Sequence, residues 1–232
     1  MKIEFDVDFW YDFDDEKSKV FQIFPDVYED ERGKFLESWK FIDKKDVKDD
    51  DYFEDDIHWI FKENWIKQIN TSYSKRCTIR GCHAQYGPYC QAKLVSSIQG
   101  QIFDVITDMR PQSDSFMESK VFYLNPKTQN RLFVPRGFLH SFITGDDDCD
   151  YIFSYMCDNV YSKSHEIKVN PINLVSETFS KYCDKYGIKN FLNENVTISD
   201  ADKNGMFLTS FTSIIQTKYS YTKDNKKYWY MG

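Results

Sequence analysis

The chain of 232 residues is long enough to bury one sizeable core, and its net charge of -7 excludes nucleic acid as the main partner, because phosphate recognition needs a basic face. Its 20 Phe and 16 Tyr favour a pleated, sheet-built interior. No apolar run approaches the roughly 20 residues that cross a bilayer, the opening M-K-I-E-F-D-V-D-F-W is too acidic for a signal peptide, and six cysteines without a C-x-x-C pair read as reduced thiols of a cytoplasmic protein.

Residues 1–19 alternate aromatic and acidic side chains and read as an edge strand or an arm. Phe21 to Phe24 and Gly33 to Trp39 read as strands around the turn D-E-R-G. The charged stretch 43–56 reads as a solvated loop or short helix, and Trp59 to Trp65 as a packed turn. The most informative run is Gln68 to Gln85, Q-I-N-T-S-Y-S-K-R-C-T-I-R-G-C-H-A-Q. Gln68, Asn70, Ser72 and Ser74 share one parity and line one face of a strand, with Ile69 and Tyr73 behind them. A polar stripe aimed inward disfavours a core but suits a ligand cavity. After the Lys-Arg-Cys connection a second strand carries Arg80, His83 and Gln85. Arg80 and His83 differ in parity, so sharing one cavity requires a bulge at Gly81 or a curling arginine.

From residue 91 onward short strands follow at 8–12-residue spacing: Gln91–Ile98, Ile102–Thr107, Lys120–Leu124, Arg131–Val134, Leu139–Thr144 and Tyr151–Cys157. Such spacing with polar turns indicates a β-sandwich or barrel. Helical periodicity occurs once, with Ser176 as cap, Phe179, Tyr182, Cys183 and Tyr186 on the helix and Gly187 ending it. Two aromatic-rich segments between Met206 and Gly232 are expected to pack on the barrel or on a second subunit. The division expected is a barrel over 1–175 with a helix and tail over 176–232, all in one domain.

Pro135 to His140, P-R-G-F-L-H, has the P-x-G-x-x-H form of the second motif of cupin barrels. The first motif would need H-x-H followed by Glu, and here it is His83-Ala84-Gln85, with no Glu before Glu118. Two histidines without a carboxylate make a poor zinc or iron site, so a barrel is expected and neither a metal nor another cofactor is. His83 is then available as a base. Of six arginines, five (Arg76, Arg80, Arg110, Arg131, Arg136) lie between 76 and 136 and the sixth is Arg32, a clustering that suits a small phosphorylated ligand.

The run Q-x-N-x-S-x-S-x-x-x-x-x-R-G-x-H-x-Q (Gln68 to Gln85) resembles the nucleotide-sugar 3,5-epimerases of the dTDP-4-dehydrorhamnose 3,5-epimerase type. So do E-D-E-R-G-K-F-L-E (Glu29 to Glu37), Q-A-K-L-V (Gln91 to Val95), G-Q-I-F-D-V-I-T-D-M-R (Gly100 to Arg110), N-R-L-F-V-P-R-G-F-L-H-S-F (Asn130 to Phe142), F-S-Y-M-C-D-N-V-Y (Phe153 to Tyr161) and T-I-S-D-A-D (Thr197 to Asp202), in the family's order. The resemblance implies a mainly β, metal-free, cupin-type jelly-roll barrel with a short helix and C-terminal extension, usually a homodimer. It also implies epimerisation of a 4-keto-6-deoxyhexose carried on a nucleoside diphosphate. It makes His83 the base, Asp202 its orienting carboxylate, Tyr155 the acid on the opposite face and Lys93 the group that stabilises the enolate oxygen. Arg32 and Arg80 would hold the diphosphate, while Phe35, Glu37, Gln68, Asn70, His140 and Glu166 would line the sugar or nucleotide site. Placing Tyr155 requires a two-residue insertion between Gly145 and Asp150; otherwise Phe153 or Tyr151 fills the slot.

The sequence departs from the family at Asn159-Val160-Tyr161, where N-Y-Y is usual, and at Val169-Asn170-Pro171 in place of W-N-D. The first change leaves uridine, guanosine or cytidine open beside thymidine. Alternative readings are a 3,4-ketoisomerase on the same fold, a degenerate sugar-nucleotide binding module without catalysis and, more remotely, a metal-dependent oxygenase.

Overall fold

The computed structural model describes residues 2–5, 19–40, 65–111, 113–192, 196–208, 210, 220–223 and 226–229. In chain order its strands are β1 (Lys2–Phe5), β2 (Phe21–Phe24), β3 (Tyr28–Asp30), β4 (Gly33–Phe35), β5 (Gln68–Ser74), β6 (Thr78–Gln85), β7 (Lys93–Gln99), β8 (Ile102–Asp108), β9 (Ser119–Leu124), β10 (Arg131–Val134), β11 (Phe138–Thr144), β12 (Tyr151–Cys157), β13 (Glu166–Lys168), β14 (Thr197–Ile198), β15 (Ser220–Lys223) and β16 (Lys226–Trp229). The helices are α1 (Pro171–Tyr186) and α2 (Asp200–Lys203). One sheet runs β1-β2-β10-β7-β12-β5 and the other β13-β6-β11-β8-β9, with β14 added in parallel to β6. This is the expected mainly β jelly roll. β3 and β4 form a separate hairpin, as do β15 and β16.

Strand period decides what each sheet presents. Val95 on β7, Ile102 and Ile106 on β8, Leu132 on β10, and Tyr151 and Phe153 on β12 meet between the sheets and are almost fully buried. The opposite parity of the second sheet, including Ile79, Ala84, Phe103 and Leu139, is apolar too and needs a cover. Helix α1 supplies it with Val175, Phe179 and Cys183 at i, i+4 and i+8, and Phe179 meets Phe103 edge-on at 5.0 Å. A third cluster joins Phe21, Ile23, Phe133 and Leu94 to Trp65, which stacks on Trp39 at 5.7 Å.

Three expectations change. The helix starts at Pro171, five residues before the Ser176 expected to precede it, because Asn170 is the cap and its side chain accepts from the Ile172 N–H. Asn followed by Pro at the first helical position is a strong start, so the expected 175/176 boundary falls inside a helix that packs on the barrel. Gly187 ends it in the left-handed conformation, as read. The strand expected over 33–39 stops at Phe35. Of the packed turn at 59–65 only Trp65 falls within the described residues, and the charged stretch 43–56 lies outside them, as do the packing contacts of the β15–β16 hairpin.

The parity conflict at Gly81 is resolved by a bulge. Across β6 and β11, His83 pairs with His140 but Arg80 pairs with Phe142, so β6 carries one extra residue. Gly81 has φ +104°, and a Cβ there would lie 2.5 Å from the His140 carbonyl oxygen and 2.9 Å from Ser141 Cα. Both contacts are with backbone, which cannot step aside. Gly81→Ala is therefore expected to lower unfolding free energy by about 3 kcal/mol or more, read as a fall in the urea midpoint at unchanged slope.

Candidate active site

At one end of the barrel the interior turns from apolar to polar. A cavity of about 280 Å³ opens there, walled by Gln68, Asn70, Lys93 and Tyr155 from the first sheet and by His83, Ala84, Gln85 and Glu166 from the second, with Gln91 and Tyr161 at its mouth. The alternation along β5 follows the expected parity, with Ile69 and Tyr73 pointing out to solvent.

His83 sits at the centre of the β6 wall, flanked in register by His140 on β11 and Lys168 on β13. Its Nε2 lies 2.7 Å from Asp202 Oδ1, and its Nδ1 lies 3.5 Å from Glu166 Oε1. Asp202 comes from far along the chain. β14 pairs with the start of β6, and Ser199 then caps α2, its side chain accepting from the Asp202 N–H. Burial alone would raise the Asp202 carboxyl, but the hydrogen bond and charge of His83, with donors from Ser199 and the Gly81 backbone, hold it below the ordinary carboxylate value. Glu166 Oε2 in turn accepts from the Tyr161 hydroxyl at 3.0 Å and lies 3.3 Å from Lys168 Nζ.

The facing sheet supplies a phenol and an ammonium. Burial pushes the Tyr155 hydroxyl up to about 12, assisted by the nearby Cys157 and Glu166 and opposed by Arg80, so it stays protonated at neutral pH. Lys93 Nζ lies 5.8 Å from the Tyr155 ring centroid. Burial pulls its ammonium down, against the attraction of Cys157, Asp104 and Glu166. Among the described residues no carboxylate lies within ion-pair distance of it. A half-buried ammonium that lines the cavity in this way is a receptor for an oxygen that a ligand brings. Behind the cavity His140 Nε2 meets Asp104 Oδ2 at 2.9 Å, with the imidazole ring 6.3 Å from that of Tyr155.

His83, Asp202, Lys93, Tyr155, Gln68, Asn70 and Glu166 therefore come together, and His140 stands just behind them. Of the three candidates for the phenol slot, Tyr155 reaches the cavity, while Phe153 and Tyr151 lie in the apolar core. Arg80 curls at the rim, its Nε donating to Ser74 Oγ at 2.9 Å and its guanidinium to the Tyr73 carbonyl at 3.2 Å. Arg32, Phe35 and Glu37 are not brought to this cavity. They lie on the exposed β3–β4 hairpin and just beyond it, with Arg32 paired to Asp30 and Glu37 to Lys40. Gln85, set on the second strand with Arg80 and His83 by the sequence, lines the cavity too, and Gln91, Tyr161 and Asp104 join the site without having been expected there. Gln91 carried a signal, since it lies two residues before Lys93. Among the described residues no cluster of three or more His, Cys, Asp or Glu is arranged to hold a metal ion.

An imidazole backed by a carboxylate can take a proton, a neutral phenol on the opposite wall can give one, and an ammonium between them can stabilise an oxyanion. These are the requirements for inverting a carbon beside a ketone, whose anion is delocalised onto the carbonyl oxygen.

The profile of a family described as dTDP-4-dehydrorhamnose 3,5-epimerase matches residues 16–210. A dTDP-4-dehydrorhamnose 3,5-epimerase of Methanothermobacter thermautotrophicus is 34% identical over 146 residues, covering 61% of this chain and 68% of that protein. One from Shigella flexneri is 33% identical over 142 residues, covering 61% and 71%. Among solved structures, the Bacillus anthracis dTDP-4-dehydrorhamnose 3,5-epimerase with TDP and PPi bound superposes with a TM-score of 0.63 at 28% identity, covering 83% of this chain and 95% of that one.

The second imidazole has a consequence for stability. Burial is the largest effect on His140 and, with repulsion from Lys93 and His83, depresses its protonation against the pull of Asp104. The unfolded chain takes up a proton below about pH 6.5 and the folded one resists it, so unfolding is favoured as pH falls from there. Unfolding free energy from urea titrations is expected to rise between pH 5 and 7, and His140→Gln, which keeps a donor for Asp104, is expected to flatten that rise.

Proposed function

Because the chain belongs to the dTDP-4-dehydrorhamnose 3,5-epimerase family, we propose that its cavity inverts C3, C5 or both of a 4-keto-6-deoxyhexose carried on a nucleoside diphosphate, without a cofactor. It is an isomerase of deoxysugar biosynthesis. The observation that carries the residue assignment is the opposition of the two walls: His83 on one sheet, backed by Asp202 of α2, and the neutral Tyr155 phenol on the other, with the half-buried Lys93 ammonium beside it.

In this reading His83 removes the proton next to the 4-keto group and Asp202 stabilises the imidazolium that forms. The electron pair moves onto the ketone oxygen, where Lys93 meets the developing charge in a poorly solvated setting that strengthens the attraction. Tyr155 returns a proton from the far side, and the stereocentre is inverted. Gln68, Asn70 and Glu166 hold the sugar, with His140 behind them. Arg80, at the rim, meets the diphosphate.

The nucleotide is drawn as partly held by a second copy of the chain. Arg32, Phe35 and Glu37 stand away from their own cavity, and Phe35 is 66% exposed on a hairpin fixed at its base by Lys34 to the Pro126 carbonyl. The outer face of β5 and β7 exposes Ile69 (59%), Tyr73 (70%) and Ile98 (49%), an apolar surface that dimerisation would cover. A homodimer that lays this hairpin over its partner's cavity accounts for both observations. Light scattering is expected to give twice the chain mass, falling to one chain mass in the Ile69→Asp, Tyr73→Asp double variant.

The reaction is tested in deuterium oxide with nucleoside-diphosphate 4-keto-6-deoxy sugars. The wild-type chain is expected to incorporate solvent deuterium at the inverted carbon, and His83→Ala to lower that exchange about 10³-fold. Tyr155→Phe should retain exchange, with protonation from the His83 side, while losing inversion. Exchange that persists in His83→Ala removes the base assignment, and a product whose carbonyl has moved replaces epimerisation by ketoisomerisation.

A further inference from the structure

Three glutamines share the cavity wall with the groups assigned above: Gln68 on β5 two positions from Asn70, Gln85 on β6 two positions from His83, and Gln91 in the segment leading into β7, two positions before Lys93. Gln68 is level with Lys93 across Cys157 and Gln85 is level with Glu166, so the amides form a staggered rung among the reacting groups. All three spend a hydrogen bond on one short stretch of backbone. Gln91 Nε2 donates to the Asn159 carbonyl (2.8 Å), Gln68 Oε1 accepts from the Tyr161 N–H (2.7 Å) and Gln85 Oε1 accepts from the Ser162 N–H (2.8 Å). The partners fix which way each amide faces, since a backbone carbonyl only accepts and a backbone N–H only donates. The stretch so held carries Tyr161, whose hydroxyl donates to one oxygen of Glu166 while the other oxygen lies 3.5 Å from His83 Nδ1.

We propose that Gln68, Gln85 and Gln91 are positioning residues for proton transfer, fixing Asn159 to Ser162 so that Tyr161 keeps Glu166 aimed at the ring of His83. The inference rests on His83 being the base. The need for such a hold is visible in the competition for Glu166, because Lys168 on its own strand lies 3.3 Å from the oxygen that Tyr161 binds. The charged and titratable groups around His83 are Asp202 from α2, Glu166 and Lys168 from β13, His140 from β11, Lys93 from β7 and Tyr155 from β12, with Arg80 at the rim. A neutral amide suits the rung: a carboxylate in place of Gln91 would repel the Asn159 carbonyl, and a lysine would add another cation beside Lys93. Gln68 also donates to Asn70 Oδ1 at 2.8 Å, which couples the rung to a side chain assigned to the sugar.

The test uses the full chain labelled with ¹⁵N-histidine at one fixed pH, the His83 signals being assigned by their loss in His83→Asn. Tyr161→Phe, Gln91→Met and Gln85→Met are compared with wild type. The expected result is that the His83 Nδ1 resonance moves in the same direction in all three while Nε2, held by Asp202, stays close to wild type. The exchange kcat falls about tenfold with KM within about threefold. A general loosening of the barrel would move both nitrogens and the melting temperature together. An Nδ1 resonance that stays put in folded Gln91→Met overturns the proposal, as does a kcat that is unchanged when Nδ1 moves. Gln91 is only half-buried, so its variant carries the result alone if Gln85→Met does not fold. Failure of the wild-type chain to exchange hydrogen with any substrate would count against the catalytic reading instead, and the Nδ1 comparison would still report on the rung.

Discussion

A polar side chain taken out of water between two sheets is tolerated only where something else satisfies it, and much of this molecule's arrangement follows from that constraint. One end of the barrel avoids the problem with Ile, Leu, Val and Phe, and the other end accepts it. There each imidazole has a carboxylate within 3 Å, His83 with Asp202 and His140 with Asp104. The phenol of Tyr155 is kept neutral by its surroundings, and Lys93 beside it is a cation that a ligand oxygen can meet. The cavity is therefore a place where the protein's own groups have been partnered up to the point at which a substrate completes the set. Such preorganisation stabilises charge developing on a bound molecule more effectively than water does, because the dipoles need not turn to meet it.

The bulge at Gly81 reconciles this demand with the strand period. Alternation alone would send Arg80 and His83 to opposite faces. The extra residue restores them to one side and leaves Ile79 and Cys82 on the other, where α1 covers them. One irregular step thus serves two faces: a polar interior and an apolar exterior are each continuous across β6. A side chain at that step would strike the backbone of β11, so the position is confined to glycine.

What could be read beforehand followed from period and spacing. The inward polar stripe of β5, the run of short strands and the conflict between Arg80 and His83 were all visible in the residues themselves, since a sheet converts parity directly into facing. Two kinds of feature were not visible. The helix start was misplaced because Ser176 looks like a cap, whereas the stronger pair Asn170-Pro171 stood in a stretch read for its departure from W-N-D. The rung of glutamines was invisible for another reason: Gln85 and Gln91 could be assigned to the cavity face, but the loop backbone they hold comes from elsewhere in the chain, and no local pattern reports a partner some 70 residues away. Arg32, Phe35 and Glu37 show the reverse case, residues matched by motif that the single chain keeps at a distance from its cavity.

The carboxylate behind the imidazole is separated from it by 119 positions and reaches it through the two-residue strand β14. A chain cut after β13 would keep the walls of the cavity and lose α1 and Asp202 together, so the apolar outer face of the second sheet would stand bare while the imidazole stood without the group that steadies its charge. Cover and competence thus reach the barrel from the same side of β13, and neither is delivered without the chain that follows it.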